Sequence, residues 1–254
     1  MVSSGRLARE HGVKSREARH AIRLLLIPIV TAATLSLLFF RAKSASIITE
    51  PLLANAYVDG VLKYQLVTLG LAGIVLLLTF LLGPASFRKF FALGKINSPV
   101  EPVKLIGLTP KPGEGWLRIG KNFAIIITVV TVVLIYFQLI RGNSIAAQNL
   151  RFLPWILPFA IANSFVEEMI TRFAVVSALD GLVSSQLIYL TSAAMFGSVH
   201  YFGTPGGIAG VFLAGFLGWL LAKSIHETHG IFWAWLMHFL QDVVIFTGLF
   251  FAYL

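Results

Sequence analysis

Three short motifs place acid–base side chains inside apolar stretches. Glu167 and Glu168 stand together in NSFVEEMITRF, residues 163–173, with Arg172 four residues beyond the second glutamate. Phe196 and His200 stand four apart in FGSVH, and His238 and Asp242 four apart in HFLQD. Residues four apart on a helix share a face, so Glu168 is expected to pair with Arg172, in the favourable order with the carboxylate first. Glu167 is rotated about 100° from Glu168 and roughly 140° from Arg172, which leaves it without a cation on its own helix. Asn163 and Thr171, four residues to either side, give it hydrogen-bonding neighbours. A carboxylate so placed, with two imidazoles from other segments, suits general-base activation of water. Each ionised side chain at mid-bilayer costs about 2.5–3.5 kcal/mol to insert, so such groups mark function rather than lipid contact.

The elements that must carry these residues follow from composition. Of 254 residues, 57% are hydrophobic and 12% charged, whereas soluble domains carry about 25% charged residues. The chain reads as all-α, a polytopic helical membrane protein. A transmembrane helix needs about 20 apolar residues. Spans are expected at residues 24–40, 64–87, 122–140 and 152–179, then two between 181 and 222 divided by YFGTPGG at 201–207, and a last from 230 onward. That makes about seven transmembrane helices in a single integral-membrane domain. Residues 1–150 hold an N-terminal tail, three helices and a basic loop, and residues 151–254 hold the motif-bearing core, helices four to seven.

Most loop Lys and Arg residues fall on one side, which orients the N-terminus toward the cytoplasm. That side carries Arg6, Arg9, Lys14, Arg16, Arg19, Arg23, the Pro-rich loop up to Lys121, and Lys223; Arg41, Lys43, Lys63, Arg141 and Arg151 fall opposite. The loop with Pro84, Pro99, Pro102, Pro110 and Pro112 is expected to be irregular or partly interfacial. The net charge of +9 is accounted for by basic loops against anionic lipid, and no nucleic-acid motif is present. Absence of cysteine excludes a thiol nucleophile and disulfides. Counting 1.5 Å per residue from Asp180 and Glu227 puts Glu167 at roughly 19 Å and His238 at roughly 16 Å, but His200 at roughly 30 Å, a poor fit to one site that a helix starting only at Ser184 or Ser185, or a tilted one, reduces without closing. Gly206, Gly210, Ala214, Gly218 and Ala222 form a small-residue seam expected to allow close helix packing. His226 and His229, flanking Glu227, are expected to be solvated in a loop.

Taken together, E167-E168-x-x-x-R172, F196-x-x-x-H200 and H238-x-x-x-D242, in this order on three spans, resemble the motifs of the CPBP (CAAX protease and bacteriocin-processing, or ABI) intramembrane proteases, type II CAAX prenyl endopeptidase-like. The resemblance covers residues 152–254; the first three spans match only in being hydrophobic. It implies an intramembrane endopeptidase of a bacterial or archaeal cell membrane, acting on a peptide or protein substrate, prenylated or a leader peptide. It also implies that Glu167 and His200 activate a water, that His238 and Asp242 serve the tetrahedral intermediate, and that Glu168 and Arg172 support the site. Prenyl-processing members have Asn where this chain has Asp242. An ionised Asp cannot donate to an oxyanion, so Asp242 either is protonated or accepts from His238.

No cofactor is expected. Were the chain metal-dependent, Glu167, His200 and His238 would make a His2Glu zinc set, although no H-E-x-x-H is present. The rival from another class is a non-catalytic immunity or scaffold protein that binds a peptide or partner. A small transporter would show paired broken helices or an internal repeat, and neither is seen.

Overall fold

The computed structural model describes residues 17–254, residue 19 excepted. Arg6, Arg9, Lys14, Arg16 and Arg19, part of the charge asymmetry above, lie outside the described residues. Every regular element among the described residues is helical, apart from two isolated bridges, Pro99 with Gly115 and Val103 with Leu108.

Helices α1 (Leu26–Ile47) and α2 (Ala56–Leu82) pack side by side. Asn55 caps α2, its side chain accepting from Tyr57 N at 3.0 Å and Val58 N at 3.1 Å. Asp59 in that first turn is paired with Lys63 at 2.8 Å, so two charges at the end of a long apolar helix satisfy each other. The short α3 (Pro84–Phe90) starts on a proline, whose missing N–H costs nothing at a first helical position. Helix α4 (Trp116–Ile135) ends in a π turn at Tyr136–Ile140. Helix α5 (Ile156–Glu168) continues through a second π turn, Met169–Phe173, into α6 (Ala174–Leu179). Helix α7 (Ser185–Val199) closes in a 3-10 turn at His200–Phe202, followed by α8 (Gly207–Thr228) and α9 (Phe232–Tyr253).

The chain is thus a polytopic helical membrane protein. Among the described residues, five helical stretches are long and apolar enough to cross a bilayer: His20–Ile47, Ala56–Leu82, Trp116–Ile140, Gly207–Thr228 and Phe232–Tyr253. The count of seven is not confirmed. The expected fourth span is the α5–α6 rod, interrupted by its π turn and holding Glu167, Glu168 and Arg172. The expected fifth is α7, only 15 residues long, short of the length a span needs. In the rod all five residues of the π turn are buried, and the rod packs against α2 and α9, while Leu157 and Ile161 of α5 and Leu187 and Leu190 of α7 stay exposed.

The small-residue seam of α8 faces α7. A Cβ on Gly210 would lie 2.7 Å from His200 O, and one on Gly218 3.1 Å from Ser192 O, so these positions set how closely the two helices approach. Ala214 and Ala222 on the same stripe are buried. The Pro-rich loop differs from expectation in its first part, where Pro84 opens the α3 helix; beyond Phe91 it holds only a 3-10 turn at Lys104–Ile106 and the two isolated bridges, and it docks on the α8–α9 junction. Lys95 N donates to Thr228 O at 2.7 Å and Ile231 N to Ala92 O at 2.8 Å. Gly94, at φ +82°, lets the backbones meet there, since its Cβ would lie 2.7 Å from Gly230 Cα.

His226 and Glu227 differ from expectation: both belong to the last turn of α8 rather than to a solvated loop. His226 Nε2 lies 3.2 Å from Asp180 Oδ1 and its Nδ1 3.0 Å from Tyr189 Oη. Glu227 is held by Lys223 and by Trp116 Nε1, the latter at 2.8 Å. Capped by the left-handed His229, α8 runs on beyond its last apolar residue because these polar side chains find partners on α4, α7 and the α6 end.

Candidate active site

Glu168 and Arg172 form the buried foundation. Both side chains are 0% exposed, with Arg172 Nη1 3.1 Å from Glu168 Oε1. The guanidinium lies over the Phe196 ring, Cζ 3.4 Å from its centroid, and a second donation from Nη1 reaches Thr171 Oγ1 at 2.8 Å. An ion pair with no water access is favourable only when its geometry is good and it keeps further partners. Here the further partners are an aromatic face and a histidine, His238 Nδ1 lying 2.7 Å from the same Glu168 oxygen, while Glu168 Oε2 and Arg172 Nε and Nη2 are buried with no hydrogen-bond partner among the described residues. A carboxylate can only accept, so Nδ1 carries the proton and Nε2 is left to face the other side.

On that other side is a cavity of about 760 Å³. Its polar wall includes Gln65 and Asn163 together with Glu167, His200, His238 and Asp242, while α4 and α8 add apolar side chains such as Ile126, Val130, Leu213 and Leu217. The four residues expected to do chemistry therefore share one cavity, and the two expected to support them sit behind it. His238 Nε2 is 3.5 Å from Glu167 Oε2 and 3.7 Å from Asp242 Oδ1, outside hydrogen-bond contact but close enough for both carboxylates to attract the ring once it is protonated. Among the described residues no Lys or Arg pairs with Glu167; its Oε1 accepts from Asn163 Nδ2 at 3.2 Å. Thr171 is spent differently, its hydroxyl donating to Glu167 O at 2.6 Å.

His200 reaches the site despite the poor fit in depth. Ser184 caps α7, so the helix starts five residues beyond Asp180, and His200 then lies about 22 Å along it rather than 30 Å. The Phe196 ring takes up the rest, packing 4.1 Å from the His200 ring and 5.5 Å from the His238 ring, centroid to centroid. His200 Nδ1 donates to Phe196 O at 2.8 Å, leaving Nε2 of the neutral ring as a proton acceptor.

The first two helices contribute more than the sequence indicated. Gln65 of α2, 2% exposed, donates from Nε2 to Asn163 Oδ1 at 3.4 Å, and Tyr64 and Arg41 also line the cavity. The available signal was a lone amide, Gln65, in a stretch otherwise able to span lipid. Among the described residues, no group of three or more His, Asp or Glu side chains is arranged to hold a metal ion.

The chain was compared with known proteins; no curated protein and no solved structure matches it. Residues 149–244, the stretch holding all three motifs, match the family model described as Type II CAAX prenyl endopeptidase Rce1-like, the resemblance to which those motifs pointed.

Proposed function

We propose that the chain is an intramembrane endopeptidase of the CAAX-processing kind, and that it hydrolyses a peptide bond with a water activated by Glu167 and His200. The supporting observation is the shared cavity: a carboxylate with no cation on its helix, and two imidazoles whose second nitrogens are already committed elsewhere, face one space beside an apolar wall. Glu167 accepts a proton from the water, whose oxygen adds to the scissile carbonyl carbon. The oxyanion then forms beside His238 Nε2, which donates to it when the ring is protonated on both nitrogens, and beside Asp242, which donates when its carboxyl is protonated. Collapse breaks the C–N bond, and the proton held by Glu167 goes to the leaving amine, so the carboxylate is regenerated. The substrate is a peptide carrying an apolar group, prenylated or a leader segment, with the protein embedded in a bacterial or archaeal cell membrane and its N-terminus cytoplasmic. No cofactor takes part in this reading.

The test is cleavage of prenylated and leader peptides by the purified protein. Glu167→Ala is expected to lower kcat by about 10²–10⁴ with the helical fold intact by circular dichroism. Retention of wild-type rates by this variant, or loss of activity to a chelator with restoration by zinc, would overturn the mechanism.

A further inference from the structure

Asn163 occupies an unusual position between the two carboxylates of the cavity. Its Nδ2 donates to Glu167 Oε1 at 3.2 Å, on its own helix, and to Asp242 Oδ2 at 3.1 Å, on α9. One amide nitrogen has two hydrogens, and each is directed at a different carboxylate. The same amide's oxygen then faces α2, where Gln65 Nε2 lies 3.4 Å away. The orientation of the Asn163 amide is fixed by chemistry: turned over, its oxygen would confront two acceptors. Gln65 is similarly committed. Its Oε1 is buried without a partner among the described residues, a cost that turning the amide over would not relieve, since Oε1 would then face Asn163 Oδ1.

We propose that Asn163 is a positioning residue, clamping Glu167 and Asp242 to one wall of the cavity, and that Gln65 sets the clamp from α2. This deepens the endopeptidase reading and rests on it. Two like charges sharing a small cavity repel, and a neutral donor between them lets both stay while leaving Glu167 Oε2 turned toward His238. An apolar residue at 163 would release both carboxylates. Aspartate would add a third. The clamp also gives the N-terminal half of the chain a part in catalysis, since Gln65 lies outside the matched stretch.

The experiment uses full-length protein in detergent or nanodiscs, with Asn163→Ala, Gln65→Ala and the double variant. Asn163→Ala is expected to reduce kcat on a cleaved peptide about ten- to a hundredfold, with KM within about twofold. Gln65→Ala is expected to do the same more weakly and to add nothing in the Asn163→Ala background. In parallel, labelling of Glu167 and Asp242 by dicyclohexylcarbodiimide, read by mass spectrometry, is expected to rise severalfold in both single variants. This second readout needs no turnover, so a chain that cleaves no peptide would sink the endopeptidase reading and leave the clamp to be judged by labelling. Should Asn163→Ala fail to fold, Gln65→Ala carries the test. Unchanged labelling, or additive losses in the double variant, would overturn the clamp.

Discussion

His238 takes its orientation from Glu168, whose Oε1 is 2.7 Å from the ring's Nδ1, and not from Asp242, whose nearer oxygen stands 3.7 Å from Nε2. The glutamate that faces no cavity thus controls the histidine that does. Glu168→Ala would leave Arg172 buried beside no anion, and is expected to destabilise the fold by about 3–5 kcal/mol. Replacing the pair together, Glu168→Met with Arg172→Met, is expected to recover most of that stability but none of the activity. Chemical unfolding in detergent beside a peptide-cleavage assay separates the two effects.

Asp242 accepts from Asn163 through Oδ2, so its other oxygen is the one offered to the cavity. Asparagine can keep the first contact through its oxygen and offer an N–H where Oδ1 stands, which is the direction an oxyanion requires. Asp242→Asn is expected to retain kcat within about tenfold, and Asp242→Ala to lose about 10²–10³. Equal losses in both variants would mean that the negative charge itself is required.

Glycine at 210 and 218 holds α8 against α7 and the turn that carries His200. Gly218→Leu is expected to cost about 1–3 kcal/mol by overpacking. Gly210→Ala is expected to lower stability and activity together, because its methyl group would press on the backbone carbonyls of both Pro205 and His200. Thermal unfolding and initial rates, measured on the same preparations, check both outcomes.

At the far end of the bundle, partial burial pushes the Asp180 carboxyl up, but hydrogen bonds from His226 and Lys89 outweigh it and hold the group down at about 2. A carboxyl with a depressed folded-state value contributes stability that is complete above its unfolded value, near 4, and is lost as pH falls toward about 2. Asp180→Asn is therefore expected to lower stability at neutral pH and to flatten its dependence on pH across that acid window. An unchanged acid limb in unfolding experiments would show that the contact with Lys89 at 2.9 Å carries no net weight.

How much of this was legible in the sequence depends on the range of the interaction. The pairing of Glu168 with Arg172 and the isolation of Glu167 follow from helical angles alone, and both are present. The depth of His200 was misjudged because residue counting assumes upright rods beginning at the nearest charge, whereas α7 begins at Ser185 and ends at the site. Two of the expected spans, the α5–α6 rod and α7, are not among the helices long and apolar enough to cross a bilayer, because the rod, with its π turn, carries charges and α7 is only 15 residues long. Gln65 was passed over because nothing in its neighbours shows which way a single amide on a long apolar helix faces.

The π turn at Met169–Phe173 accommodates one more residue than an α-helix would over the same distance. Shortening the chain by a single position there would let the rod relax to regular winding and swivel everything upstream of it by about a quarter-turn or more. The glutamate pair would then point away from α9 while every side chain of the catalytic set was still present. For this reason, the spacing between Glu168 and Ala174 is as much a determinant of the centre as the identity of any residue within it.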